Sequence, residues 1–184
     1  PIASLLGGPV LTVNEPPLVG SIHGVGTSVG PIALTVRNGG TAAQTLSYRV
    51  SVYLSPSETL NADARLLRAV TVDTDLAAAA STAVEFSASD LVLANVAPGT
   101  YRLISQVVPL NADGEVSDEF DPHSGASASF TVAGPDLTTD GVITLANTLV
   151  SEAEPRLGSV SLQVRNVNVG VVSAGAVVVV EAYL

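Results

Sequence analysis

Three observations predict an all-β fold, an antiparallel two-sheet sandwich repeated in tandem with its second copy incomplete. Apolar and polar residues alternate along short stretches, turn-forming pairs punctuate the chain about every ten residues, and one phrase occurs twice. The phrase is "LTVRNGGTAAQTLSYRVSVYL" at 34–54, which begins again as "LQVRNVNVGVVSAGAVVVVEAYL" at 162–184.

The elements follow in order. In "PIALTVRN", Ile32, Leu34 and Val36 share one face while Ala33, Thr35 and Arg37 share the other, the period of two expected of a half-buried strand. Asn38-Gly39-Gly40 then supplies residues tolerant of positive φ. In "LSYRVSVYL", Tyr48, Val50, Val52 and Leu54 alternate with Arg49, Ser51 and Tyr53. Further strands are expected at 66–72, 83–87, 101–108 and 126–132, with Pro98-Gly99 as a tight turn and Asp113-Gly114 as a hairpin. "DLAAAAST" at 75–82 has helix propensity but is too short and uncapped to stand alone, so it reads as a loop with one turn. The core of the sandwich is expected to hold Ile32, Leu34, Val36, Tyr48, Val50, Val52, Tyr101, Leu103, Val107, Phe130 and Val132.

The duplicated phrase sets the domain plan. "GPVLT" at 8–12 matches "GPDLT" at 134–138, Val36-Arg37-Asn38 matches Val164-Arg165-Asn166, and Tyr53-Leu54 matches Tyr183-Leu184. The period of about 128 residues is that of whole domains in series, since solenoid repeats are far shorter. Residues 1–7 are expected to end a preceding repeat or linker, 8–133 to form one complete domain, and 134–184 to open a second. In that second copy Val160, Leu162, Val164, Val178 and Val180 would face inward with too few strands to cover them. The expectation is that the polypeptide continues beyond Leu184, or that another chain supplies the missing strands.

The order "PxLT…LTVRNxGTAA…VxVYLSPxETLxADxRLL…PGTYRLxxxV…DGxVxDE" resembles the CARDB family, the cell-adhesion-related domain found in bacteria, over residues 9–133 and again from 135. The resemblance implies an immunoglobulin-like sandwich of a surface or secreted protein, with the loop at 55–67 as a strand connection. "DEFDPHSG" departs from the family's usual Glu-Asn-Asn run and carries over no ion role.

Composition limits the partners. Net charge is −10 and all seven basic residues are Arg, which argues against nucleic acid or anionic lipid, both of which require a basic patch. The absence of Cys removes disulfides and thiolate metal sites. No apolar run reaches the ~18 to 20 residues of a membrane span. With 47% hydrophobic and 13% charged residues the surface must be built from small neutral side chains, suited to secreted, assembled proteins. Neighbouring copies of the same protein are the expected partners, with a surface glycan or protein as a further ligand class, and the expected location is extracellular.

No catalytic constellation emerges. Gly26-Thr27-Ser28-Val29-Gly30 fits G-x-S-x-G, and Asp121 and His123 follow in triad order, but the motif needs a strand-to-helix elbow and here Pro31 and a strand come next. It reads as a Gly-rich approach to a strand. Gly24, Gly26 and Gly30 have the wrong spacing for a dinucleotide loop, and His23 and His123 lack companion ligands in sequence. The acidic run is the most ligand-like segment: Asp113, Glu115, Asp118 and Asp121 are the calcium candidates, although Pro109 and Phe120 fall on the two key ligand positions of an EF-hand register. Asn61 to Asp63 reads as an Asx-type turn, Glu58 lies in the loop that the resemblance implies to be a strand connection, and Arg37 and Arg165 read as outward-facing strand ends. Val177, Val179 and Tyr183 are the assembly candidates, because two valines fall on a face that is mostly polar in the first copy. The expectation is a noncatalytic structural or adhesive module, with an accessory domain of a secreted hydrolase, carbohydrate-binding in one form, as the alternative. Four Tyr, three Phe and no Trp offer few sugar platforms.

Overall fold

The computed structural model describes residues 7–17, 20–117, 121–145, 160–167 and 179–180. Its strands are β1 (Leu11–Val13), β2 (Ile22–Gly24), β3 (Ile32–Asn38), β4 (Tyr48–Ser55), β5 (Arg65–Val72), β6 (Ser81–Phe86), β7 (Gly99–Pro109), β8 (His123–Ala126), β9 (Phe130–Ala133), β10 (Leu137–Leu145) and β11 (Val160–Asn166). A single 3-10 turn at Ala88–Asp90 follows β6. Among the described residues no helix is long and apolar enough to cross a membrane.

β1 to β9 form an antiparallel sandwich of two sheets. One has the order β1-β3-β6; the other runs β2-β9-β7-β4-β5, with β8 also paired to β7. β2 joins β9 in parallel and every other pairing is antiparallel. β3 forms because its apolar residues recur at every second position, and its burial alternates without a break from Ile32 to Asn38. That inner face meets Tyr48, Val50 and Val52 of β4 and Leu103 and Val107 of β7 in one core with Phe130 and Val132. Every residue expected in the core is buried except Tyr101, which is half-buried. The Tyr101 hydroxyl donates to the Ala97 carbonyl at 3.1 Å, the tyrosine-corner contact that fixes the turn before this strand in immunoglobulin-like sandwiches.

Several elements differ from the sequence reading. The strand expected at 126–132 is two strands, β8 and β9, separated by Ser127, Ala128 and Ser129. Ser127 accepts from Leu103 N through Oγ and donates its own N–H to Leu103 O, while Arg102 Nη1 reaches its carbonyl at 2.8 Å. The break in the ladder is thereby satisfied by one side chain and one cation. The segment 75–82 contains an antiparallel bridge at Leu76 to Gln44 and a turn with Ala79 at φ 61. β6 begins earlier than expected, at Ser81, since Ser81 and Thr82 pair with Arg37 and Val36. The outer face of β4 is not simply solvated: Ser51 is buried, and Ile104 and Val108 on the outer face of β7 are buried too. In the register Ile104 lies beside Tyr53 and Val108 beside Arg49, long side chains whose stems can cover apolar neighbours.

The motif at 26–30 is part of the sandwich. Gly26 N and Val29 N donate to Leu93 O and Leu91 O, and Leu93 N donates to Thr27 O. Leu91 and Leu93 are fully buried. A Cβ on Gly30 would stand 2.7 Å from Leu91 Cδ1, so any larger residue here would have to displace the end of the buried Leu91 side chain.

Candidate functional site

The acidic turn is held by one amide. Asn111 Oδ1 accepts from Asp113 N at 3.0 Å and Glu115 N at 2.9 Å, Asn111 N donates to Glu115 O, and Gly114 takes φ +81 at the apex. This is an Asx-type closure within a Leu110–Val116 bridge. Asp113, Glu115 and Asp121 are exposed. Asp118 lies outside the described residues. No group of three or more His, Asp or Glu stands within metal-holding distance among the described residues.

The nucleophile-like residues are engaged elsewhere. Ser28 Oγ donates to Ala88 O at 2.6 Å and accepts from Gly30 N. His123 Nδ1 accepts from Val13 N at 3.2 Å, which ties β1 of the first sheet to β8 of the second. His23 stands edge-on to Phe130, ring centroids 5.3 Å apart. Neither histidine is placed to activate Ser28.

A cleft of about 170 Å³ opens between the loops at one end of the sandwich, lined by Asp63, Arg65, Asn95 and Tyr101 among others. It is below the ~300 to 1,000 Å³ of small-molecule sites, and its polar groups serve the loops. Arg65 Nη1 donates to Ala94 O, Asp63 N donates to Asn61 Oδ1 at 3.1 Å, and Glu58 pairs with Arg102 at 2.7 Å. Asn61 and Asp63 thus form the turn that their spacing suggests, and Glu58 braces β7 through Arg102.

The most informative geometry is a strand pair that occurs twice. β1 pairs with β3 as Leu11↔Asn38, Thr12↔Arg37 and Val13↔Val36; β10 pairs with β11 as Leu137↔Asn166, Thr138↔Arg165 and Thr139↔Val164. Both pairs are closed by an asparagine clamp. Asn38 Oδ1 accepts from Val10 N at 3.1 Å while Gly39 N donates to Val10 O; Asn166 Oδ1 accepts from Asp136 N at 3.0 Å while Val167 N donates to Asp136 O. Asn38 is fully buried and makes three further bonds, from Gly40 N and to the carbonyls of Ala42 and Leu76. The sequence identified the repeated residues; the clamp was missed, although the Asn in both copies of "VRN" was its signal.

Burial separates the two pairs. Leu11 and Val36 are 6% and 0% exposed, whereas Leu137 and Val164 are 39% and 41% exposed. Of the assembly candidates, Val179 is 75% exposed, and Val177 and Tyr183 lie outside the described residues.

No family model matches the sequence, and no curated protein matches it. Similar solved structures include the CARDB domain of a Pyrococcus furiosus protein in complex with di-metal ions, at 20% identity and TM-score 0.39, covering 68% of this chain and 89% of that one. A β-glucosidase from Erythrobacter marinus matches at 15% identity and TM-score 0.39, and one from Streptomyces venezuelae in complex with D-glucose at 20% and 0.35. Each is matched by 68% of this chain, which spans 16% and 15% of those glucosidases.

Proposed function

We propose that this chain is a stretch of a tandem array of CARDB-like sandwiches, a noncatalytic structural or adhesive module of an extracellular protein that works through domain-domain and chain-chain packing. The observation that carries this reading is the repeated strand pair, with the same register and the same asparagine clamp at both places. The second pair begins soon after the first sandwich ends, because only Gly134, Pro135 and Asp136 separate β9 from β10. A Cβ on Gly134 would stand 3.1 Å from Pro98 Cγ, so the connection lies close against the first unit and leaves little slack. A short connection of this kind suits a spacer that must keep its reach.

Electron microscopy of the native material, together with the full reading frame that encodes it, tests the proposal. Serial repeats in the frame and extended fibres or stalks in the images are expected. A catalytic domain beside a single repeat, with compact particles, would replace this reading by that of an accessory domain of a secreted hydrolase.

A further inference from the structure

The phrase "VRNGG" at 36–40 holds the only Asn-Gly pair of the sequence, Asn38-Gly39. Such a pair is chemically labile because glycine has no side chain to hinder its own nitrogen. The Gly nitrogen attacks the Asn Cγ and bonds to it, the bond from Cγ to the side-chain amide nitrogen breaks, and ammonia leaves with the proton of the Gly N–H. Water then opens the cyclic imide at either carbonyl, giving aspartate or isoaspartate. The equivalent pair of the second copy is Asn166-Val167, where a β-branched side chain crowds the attacking nitrogen.

In the folded chain both reacting groups are engaged. Gly39 N donates to Val10 O at 2.8 Å. Asn38 Oδ1 accepts from Val10 N at 3.1 Å and from Gly40 N at 3.0 Å, and Asn38 Nδ2 donates to Ala42 O at 2.8 Å and to Leu76 O at 3.0 Å. Asn38 is 0% exposed, which also keeps out the water that opens the imide. Val10 holds the attacking nitrogen through its carbonyl and the target amide through its N–H, and it leads directly into β1, an edge strand of 3 residues. A short edge strand is the kind of element that opens locally while the rest of a domain stays folded.

We infer that Asn38 is a deamidation site gated by β1: with β1 in place the pair is inert, and each opening of Val10 and β1 frees Asn38 and Gly39 to react. The product does not rebuild the clamp. An oxygen replaces Nδ2 and faces the carbonyls of Ala42 and Leu76, where Asn38 donates to both; an ionised carboxylate has no donor for them, and a protonated one has a single donor for two acceptors. The isoaspartyl form also lengthens the main chain by one carbon at the end of β3. An opening that would otherwise reverse is thereby made permanent, so the pair records in covalent form how often the first strand has come away.

The test follows residue 38 in the 184-residue chain, incubated in mildly alkaline buffer with and without denaturant. Cleavage after Arg37 and Arg49 releases residues 38–49, and loss of the amide form of that peptide is read by mass. Conversion is expected to be slower by about tenfold or more in the folded chain, and exchange of the Gly39 amide hydrogen, which requires the same opening, to be slowed by a similar factor. Gly39→Val, copying the second repeat, is expected to suppress conversion in denaturant about tenfold or more. That variant fits the fold, since a Cβ on Gly39 meets nothing nearer than Val10 O at 3.9 Å and its φ is not positive. Chain converted in denaturant and then refolded is expected to unfold at a lower denaturant midpoint than unconverted chain. Equal conversion with and without denaturant, an unprotected Gly39 amide in the folded chain, indifference to Gly39→Val, or an unchanged midpoint after conversion overturns the gated site.

Discussion

β1–β3 and β10–β11 are the same piece of structure in two settings. Registers and clamps agree residue for residue, yet Val36 is fully buried and Val164 is 41% exposed. Backbone pairing and the clamp are therefore specified within the strand pair, by the alternation and by one amide. Burial comes from elsewhere. Val36 is covered because β4 and β7 bring Tyr48, Val50, Val52, Leu103 and Val107 to the same core. The second copy also departs locally, with Thr139 at the position of Val13 and Asp136 at that of Val10, so its own residues commit less to burial.

The largest expected difference comes from placing the same charge in both settings. Val36→Asp buries an unpaired carboxylate at a cost of several kcal/mol, against a stability of about 5 to 15 kcal/mol for an ordinary domain. The first sandwich should lose its cooperative unfolding transition by circular dichroism, and Val50→Asp should do the same. Val164→Asp should shift the midpoint by no more than about 0.5 kcal/mol, as for an exposed site. Equal damage from both would mean that the face of β11 is covered in solution.

Removing the clamp sharpens the comparison at a lower level. Asn38→Ala deletes four hydrogen bonds made by a fully buried side chain and takes from the half-buried Val10 N–H its acceptor, so a loss of about 3 kcal/mol is expected in denaturant titration. Asn166→Ala should cost about 1 kcal/mol, the net worth of a bond whose partners can turn to water.

How much of this was legible in the sequence follows the same division. β3 could be read residue by residue because one face is buried and the other wet. The duplicated phrase located β11 as well. β2 was missed because "IHG" at 22–24 has no alternation to detect, and its pairing to β9 comes from distant Thr131, Val132 and Ala133. Leu91 and Leu93 were missed as core because they lie in an irregular connection and are buried only by the approach of residues 26–30. Ser51 was expected to face outward, and it does, but under a covered outer face. The sites were legible mainly as turns: Asn61, Asp63 and Asn111 have side chains that close their own loops, which spacing indicates.

A third difference concerns the covering sheet itself. Tyr48 is fully buried and its hydroxyl has no hydrogen-bond partner among the described residues; burial also pushes that hydroxyl's pKa up. The aligned residue of the second copy is Val178, which has no hydroxyl to satisfy. Tyr48→Phe should leave stability unchanged or raise it by about 1 kcal/mol. A loss larger than 1 kcal/mol in thermal unfolding would mean that the hydroxyl has a partner, such as an enclosed water.

A smaller effect lies just after β6, the strand position that β11 lacks among the described residues. The Asp90 carboxylate accepts from the Ser87 hydroxyl at 2.7 Å and from Ser87 N at 2.9 Å, with Arg68 Nε at 3.3 Å. Those hydrogen bonds first, and the Arg68 charge after them, hold its pKa below the ordinary value. A carboxylate depressed on folding stabilises above its unfolded pKa of about 3.9, and the contribution is lost as pH falls through the folded value. Asp90→Asn should therefore lower the melting temperature slightly at pH 7 and not at all near pH 2. A difference that persisted in acid would assign the effect to packing and not to charge.

The smallest expected effect is none. The acidic turn follows β7, in the sheet that covers the first strand pair, and its geometry is closed by Asn111, whose side-chain oxygen already accepts from Asp113 N and Glu115 N. A calcium ion bound there would have to draw oxygen ligands from the exposed carboxylates of Asp113, Glu115 and Asp121, and among the described residues no three acidic or His side chains stand close enough to hold a metal ion. Chelation should leave the melting temperature of the first sandwich unchanged, and millimolar calcium should not raise it. A rise on adding calcium, abolished by Asp113→Asn with Asp121→Asn, would turn the acidic run from a solvated hairpin into a cation site.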